Sequence, residues 1–123
     1  MLEQRHRGPA IAHVPYPMWI YDLESLAFLD VNAAAIETYG FSREEFLKMT
    51  LLDIRPSEDV PKFLQENDPP HQSTAEHWRH KRKDGSVISV SITSWKVTFN
   101  GRLAEVVLAR GEEDKIKKHS AGT

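Results

Sequence analysis

Two dipeptides, Asp84-Gly85 and Asn100-Gly101, constrain the fold of this 123-residue chain more than any other feature. Each is a strong signal for a two-residue hairpin turn, because glycine, asparagine and aspartate tolerate the positive φ angles that such turns require. The segments between and after them are rich in the β-branched and aromatic residues that favour strands, and the segment before them is more polar but also strand-like. The pattern predicts three consecutive antiparallel strands over residues 74–83, 87–99 and 102–110.

The middle one of these strands changes the parity of its apolar residues. Apolar side chains occupy the even positions from 88 to 92 and the odd positions from 95 to 99. Successive side chains of a strand point to opposite faces, so this change predicts a bulge or bend near Thr93-Ser94. The last strand, RLAEVVLAR, is the most continuously apolar, which is typical of a central strand.

The first part of the chain also begins with strand signals. Residues 1–14 mix charge with Gly8 and Pro9 and predict a linker or arm. The segments MWIYD, at 18–22, and AFLDV, at 27–31, have the composition of two short strands. We expect them to form an antiparallel hairpin.

From Asn32 the signals become helical. Asn32 is suited to begin a helix over the alanine-rich segment that follows it, and Gly40 is suited to end that helix. Ser42 and Glu45 then have the spacing of a capping box, which predicts a second short helix. A further helical segment is expected from Ser57, whose first turn is acidic.

Composition excludes several classes of function. Sixteen Lys and Arg against 18 Asp and Glu give a formal net charge of −2, so the chain as a whole does not attract nucleic acid or an anionic membrane. No apolar run approaches the roughly 20 residues of a membrane span, and the N-terminus lacks the apolar core of a signal peptide. The absence of cysteine excludes disulfides and thiolate metal sites, and it fits the cytoplasmic location that we expect.

The local basic stretch HKRK, at 80–83, raises the possibility of a phosphate or nucleic-acid site. On a strand its side chains alternate between the two faces, which divides the patch. The same alternation argues against a metal site formed by His77 and His80, which are three residues apart. A nucleophile elbow and a phosphate-binding loop are both absent from the sequence, and the carboxylates of Glu44 and Glu45 diverge on a helix, so we expect a non-catalytic domain without a metal site.

The order of these elements, together with a set of short motifs, resembles a PAS domain. The motifs are VN at 31–32, YGFSREEF at 39–46, DIRPSED at 53–59, KDGS at 83–86 and VVLAR at 106–110. The resemblance spans residues 15–111, with 1–14 as an N-terminal arm or linker and 112–123 as a C-terminal tail or the start of a linker helix. It implies an α+β fold, in which a five-stranded antiparallel sheet of order 2-1-5-4-3 has short helices packed on one face.

PAS domains of the kind found in bacterial sensor histidine kinases sense or relay signals. The resemblance therefore implies a non-catalytic regulatory domain of a two-component system. Such a domain binds a small molecule, or relays a signal through its flanking segments, and acts on an output domain such as a histidine kinase. The alternative is a ligand-free dimerisation or protein-interaction module, to which the stretch IAHVPYPMW, at 11–19, and the charged tail would contribute. We expect a homodimer that contacts neither nucleic acid nor membrane.

Two cofactors of the family can be assessed from single residues. Covalent flavin attachment requires a cysteine, which this chain lacks. Haem requires an axial histidine, and His71 in the loop DPPHQS is the only histidine near the appropriate region. We expect His71 to be a solvated loop residue rather than a haem ligand. The cofactor is therefore unknown from sequence, and a small apolar or aromatic molecule is the candidate ligand.

In the PAS fold the ligand pocket lies between the sheet and the helices, so aromatic and aliphatic residues expected to face that space are its candidates. A plain hydrophobic core is the main alternative for the same side chains. The candidates are Trp19, Tyr21, Tyr39, Phe63, Ile92, Trp95 and Val106.

Five residues that carry the resemblance are expected to be structural. They are Asn32, Glu45, Asp59, Lys83 and Gly85. Asn32 caps a helix, Asp59 lies in an early helical turn, and Gly85 supplies a positive φ. The family resemblance further implies an ion pair between Lys83 and Glu45.

Overall fold

The computed structural model describes residues 11–65 and 72–111, with only the backbone described at 62, 63, 65 and 72–77. Its strands are β1 (Met18–Asp22), β2 (Phe28–Val31), β3 (Gln72–Lys81), β4 (Val87–Phe99) and β5 (Arg102–Gly111). The helices are α1 (Ala33–Tyr39), α2 (Arg43–Phe46) and α3 (Val60–Gln65), with 3₁₀ turns at Ile11–His13, Leu51–Ile54 and Ser57–Asp59. None of the helices in the described ranges is long and apolar enough to cross a membrane.

The five strands form one antiparallel sheet in the order β2-β1-β5-β4-β3, which confirms the expected 2-1-5-4-3 order and the α+β fold. The strand β5 lies in the centre and pairs with β1 on one side and β4 on the other. All helices after the first 3₁₀ turn lie between β2 and β3 in the chain. The predicted arm, tail and loop fall partly outside the description, because residues 1–10, 66–71 and 112–123 are not described.

The two hairpin dipeptides both form turns, but only one is a two-residue turn. Asn100 and Gly101 have φ angles of 52° and 79°, and Phe99 pairs directly with Arg102. The β3–β4 turn, which contains Asp84-Gly85, is longer. Its closing hydrogen bond runs from Arg82 N to Ser86 O at 2.8 Å, with three residues between them. Asp84 accounts for the extra length, since its carboxylate accepts hydrogen bonds from the backbone N and the Oγ of Ser86.

The predicted bulge in β4 near Thr93-Ser94 is wrong. The strand β4 pairs with β5 without interruption from Val90 opposite Gly111 to Phe99 opposite Arg102. A register shift does occur in this part of the sheet, but it lies on β3, between 75 and 78. The parity change in β4 instead reflects a sheet with apolar side chains on both faces.

Two hydrophobic clusters cover these faces. We call the set on the helical side the helix-side cluster and the set on the other side the outer cluster. The helix-side cluster contains Trp19, Tyr21, Phe28, Val31, Ala35, Tyr39, Phe46, Leu51, Ile54, Val90, Val107 and Ala109. The outer cluster contains Ile11, Met18, Ile20, Phe99, Ala104 and Val106. Strict alternation along β1 and β5 sends neighbouring residues to different clusters.

Asn32, which is buried, joins three parts of the chain. Its Oδ1 accepts from Ala35 N, which caps α1, and from Met18 N at the start of β1, each at 3.0 Å. Its Nδ2 donates to Ile11 O at 2.9 Å and to Tyr16 O at 3.0 Å. The packed part of the chain therefore includes Ile11, four residues before the expected domain boundary at 15.

A second connection holds α2 to the β3–β4 hairpin. Ser42 and Glu45 form the predicted capping box. Glu45 Oε2 also accepts from Lys83 Nζ at 2.9 Å, so the predicted ion pair is present. Lys83 N donates to Tyr39 O at 2.9 Å, which places the hairpin against the end of α1. The hydrogen bond from Lys83, together with those from Ser42, lowers the pKa of the Glu45 carboxyl.

Asp59 also connects the helical layer to the sheet. Arg79 on β3 donates from Nε and Nη2 to the two carboxylate oxygens of Asp59, at 3.0 and 2.8 Å, and from Nη2 to Glu58 at 2.9 Å. A bidentate pair of this kind, with two parallel N–H···O hydrogen bonds, is stronger than an arginine–carboxylate pair joined by one hydrogen bond. The role of Asp59 is thus broader than the favourable charge at a helix start that the sequence suggests.

Replacing Asn32 by alanine should destabilise the domain by about 3 kcal/mol, because the substitution removes a helix cap and leaves several buried backbone groups without partners. The matched control is Ser42→Ala, which removes a cap from α2 only and should cost about 1 kcal/mol. Urea unfolding followed by circular dichroism measures both. Equal losses in the two variants would contradict the connecting role of Asn32.

Candidate functional site: a polar cluster inside the domain

Three aromatic rings from separate elements meet inside the helix-side cluster. Trp19 comes from β1, Tyr39 is the last residue of α1, and His80 lies near the end of β3. Each pair of rings has its centroids 5.6 Å apart. All three side chains are buried, with His80 wholly inaccessible to solvent. Gly40 makes this meeting possible, because its positive φ of 88° ends α1 directly after Tyr39.

Tyr39 and His80 are hydrogen-bonded, with 2.6 Å between the tyrosine Oη and the histidine Nδ1. Burial raises the pKa of Tyr39, so the phenol keeps its proton and can donate it. Burial, reinforced by the charge of Arg55, lowers the pKa of His80 well below its ordinary value, so the imidazole is neutral. A neutral imidazole that accepts at Nδ1 carries its proton at Nε2.

Two buried donors of this group lack partners. Nε1 of Trp19 and Nε2 of His80 are both inaccessible and make no hydrogen bond to any described residue. A buried donor without an acceptor costs about 1–3 kcal/mol, and native proteins rarely leave one in this state. The pair therefore forms a place where an acceptor atom would bind favourably.

A buried acceptor lies on the neighbouring part of the sheet. Tyr21 on β1 and Glu105 on β5 are directly opposite each other, and the tyrosine hydroxyl donates to Glu105 Oε1. Burial and this interaction raise the pKa of Tyr21 and keep its hydroxyl protonated. The second oxygen, Glu105 Oε2, is buried and has no hydrogen-bond partner among the described residues.

Arg55 adds a positive charge to the interior. It follows the 3₁₀ turn Leu51–Ile54, is 7% exposed, and places its guanidinium 5.0 Å from the centre of the Trp78 ring. Burial lowers the pKa of Arg55 to about 10, so it stays charged at neutral pH. Its charge acts on Tyr21, Tyr39 and His80, so it lies among the polar groups described above. We call this set the interior polar cluster; its members are Trp19, Tyr21, Tyr39, Arg55, His80 and Glu105.

Tyr39 also borders a surface groove. The groove has a volume of about 460 Å³ and lies between the end of α1 and the adjoining ends of β4 and β5. Its lining includes Arg82, Val90 and Ala109 as well as Tyr39. Tyr39 thus lies between solvent on this side and the rings of Trp19 and His80.

The structure brings together four of the seven predicted pocket residues. Trp19, Tyr21 and Tyr39 are members of the helix-side cluster, and Ile92 packs against it. The prediction is wrong for Trp95 and Val106, which pair with each other across β4 and β5; Val106 belongs to the outer cluster and Trp95 packs against it. The side chain of Phe63 is outside the described residues.

Sequence reasoning missed His80, Arg55 and Glu105. Glu105 could have been found, since it shares the parity of Val107 and Ala109 in an otherwise apolar strand. The sequence does not single out His80, because it is followed by three cationic residues and belongs to the basic stretch HKRK. Arg55 carries no local signal, because its burial depends on contacts with distant strands. Among the side chains that the structure describes, no group of three His, Asp or Glu could hold a metal ion.

The burial of His80 predicts that the domain loses stability as the pH falls. The unfolded chain protonates this histidine near pH 6.5, whereas the folded chain does so only at lower pH. The free energy of unfolding therefore has its full value above about pH 6.5 and decreases as the pH falls below it. The contribution of His80 to the slope should approach about 1.4 kcal/mol per pH unit. Urea unfolding at several pH values between 7.5 and 5.5 measures the slope of the unfolding free energy against pH. His80→Gln should remove this contribution and His13→Gln, at an exposed histidine, should not; an unchanged slope in His80→Gln would contradict the assignment.

Solved structures share this fold. A PAS domain from a two-component sensor histidine kinase is 21% identical, with a TM-score of 0.70 over 89% of this chain and 96% of that one. The PAS domain of a protein from Colwellia psychrerythraea is 18% identical, with a TM-score of 0.73 over 89% and 95%. The PAS domain of an HTR-like protein from Haloarcula marismortui is 20% identical, with a TM-score of 0.68 over 89% and 92%. A comparison with curated proteins found no match.

The sequence itself also identifies the family. A family model described as "PAS domain" matches residues 15–109, which is more than half of the chain. The matched range contains every member of the interior polar cluster, from Trp19 to Glu105. The chain therefore belongs to the PAS domain family of sensory modules.

Proposed function

We propose that this PAS domain is a cytoplasmic sensor that binds a small molecule in its interior polar cluster and relays binding to an output domain such as a histidine kinase. The observation that carries the proposal is the set of buried polar atoms without partners around Trp19, His80 and Glu105. A domain that served only as a scaffold would be more stable with apolar side chains at these positions. The domain itself takes no part in catalysis under this proposal.

The route from the cluster to the N-terminal flank is short. Trp19 is adjacent to Met18, whose backbone N–H donates to Asn32 Oδ1. The same asparagine side chain holds Ile11 O and Tyr16 O, so a shift of β1 acts directly on the segment that precedes it. At the other flank, Ala109 N donates to Pro17 O at 3.0 Å, which connects the end of β5 to the entry of β1.

The purified full chain should carry or accept a small ligand. A native mass spectrum is expected to show a mass above that of the bare chain that is lost on denaturation. If the ligand has dissociated, a thermal-shift screen of small metabolites should raise the melting temperature by several degrees. A bare mass together with a screen that has no hit would contradict the proposal.

A second candidate function, homodimerisation, is favoured by the outer cluster. Trp95, Val97, Leu29 and Leu108 pack against this cluster and remain partly exposed. Ile11 and Val14 extend the apolar area to the N-terminal segment. Contact between two copies through this face would be isologous, the default symmetry for a homodimer.

Sedimentation of the full chain tests this candidate. We expect a dimer that the charged substitution Val97→Glu dissociates into monomers, because a buried unpaired charge opposes association. The control is Leu47→Glu, which alters an exposed leucine after α2 on the helical side and should leave the dimer intact. A wild-type chain that stays monomeric at high concentration would exclude the dimer.

A further inference from the structure

The buried polar atoms inside the domain include hydrogen-bond donors at one position and an acceptor at another. At one position, Trp19 Nε1 and His80 Nε2 are donors without acceptors among the described residues. At the other, Glu105 Oε2 is an acceptor without a donor. The inference that follows rests on the proposed function, since it concerns what these atoms bind.

The two positions are a short molecule apart. Trp19 and Tyr21 are two residues apart on β1 and point to the same face, which separates their Cα atoms by about 7 Å. Tyr21 is directly opposite Glu105 on the sheet and is hydrogen-bonded to it, so the carboxylate of Glu105 lies beside Tyr21. The rings of Trp19 and His80, whose centroids are 5.6 Å apart, mark the other position.

The charges distinguish the two positions further. Arg55 is a buried cation whose field reaches Tyr21 as well as Tyr39 and His80, so it favours an anionic group in this interior without selecting one of the two positions. Glu105 favours a hydrogen-bond donor and opposes a second anion. An apolar ligand would leave all three orphan atoms without partners, and a cation without an acceptor would be repelled by Arg55.

We propose that the interior binds a small carboxylic acid that also carries a hydroxyl or amino group. The carboxylate accepts from Trp19 Nε1 and His80 Nε2 beside Arg55, and the hydroxyl or amino group donates to Glu105 Oε2. This ligand class replaces the small apolar or aromatic molecule that the sequence suggests. The aromatic rings then provide the walls of the site, and the polar atoms provide its selectivity.

A matched set of four-carbon compounds tests the ligand class by thermal shift and isothermal titration on the full chain. We expect 4-hydroxybutyrate or 4-aminobutyrate to bind, with butyrate, which lacks the donor, and 1-butanol, which lacks the acid, binding at least about tenfold more weakly. Succinate should also bind more weakly, because its second carboxylate would face Glu105. Any compound retained in the native mass spectrum should be an acid with a hydroxyl or amino group.

Two variants locate the binding. Trp19→Phe keeps an aromatic ring but removes the Nε1 donor, and it should weaken binding of the acid about tenfold. Trp95→Phe is the same substitution in the outer cluster and should leave binding unchanged. Near-ultraviolet circular dichroism confirms that both variants are folded.

The outcomes separate this inference from the proposed function. Preferential binding of butanol or another compound without a carboxylate, or retention of such a compound, would overturn the inference and leave the proposed function intact. Equal binding of the acid by wild type and Trp19→Phe would also overturn it. If neither the four-carbon compounds nor the metabolite screen gives binding and the native mass is bare, both the inference and the proposed function fail.

Discussion

The buried side chain of Asn32 connects the first helix, the first strand and the segment that precedes that strand. One amide group caps α1, fixes the first backbone N–H of β1 and holds the carbonyls of the preceding segment. These contacts are made away from solvent, where a lost hydrogen bond is not replaced by water. The position of β1 therefore follows from Asn32, and with it the positions of Trp19 and Tyr21, which carry the candidate site. Structure and proposed signalling share this connection.

The sheet has two apolar faces, and the two proposed functions, ligand binding and dimerisation, use different faces. Alternation along β1 sends Trp19 and Tyr21 towards the helices and Met18 and Ile20 to the other side. The helical side encloses polar atoms and suits a small ligand, whereas the outer cluster, whose buried members are all apolar, suits contact with a second copy. Because both faces share β1 and β5, an event on one side can alter the other without a long pathway.

Local features of the fold were predictable from sequence, and non-local ones were not. The cap at Asn32, the αL residue Gly40 and the capping box of Ser42 each depend on residues within four positions, so short-range chemistry predicts them. The sheet order came from the family resemblance rather than from periodicity. The predicted side of the sheet is wrong for Trp95, because aromatic character does not indicate which side a residue occupies when both sides are apolar. Arg55 was missed because only the assembled fold buries it.

The buried polar groups of the interior make sense only if they do something other than stabilise the fold. A buried charge such as that of Arg55 is costly to desolvate, and well-packed apolar residues of similar volume are often neutral or stabilising in its place. The same reasoning applies to His80, whose burial makes the domain less stable at low pH. A chain that retains an arginine, a histidine and a glutamate in a small hydrophobic core gives up stability at that site. A bound molecule that supplies an acceptor to His80 Nε2 and a donor to Glu105 Oε2 would restore it, so that ligand binding and folding stability are coupled through the same atoms.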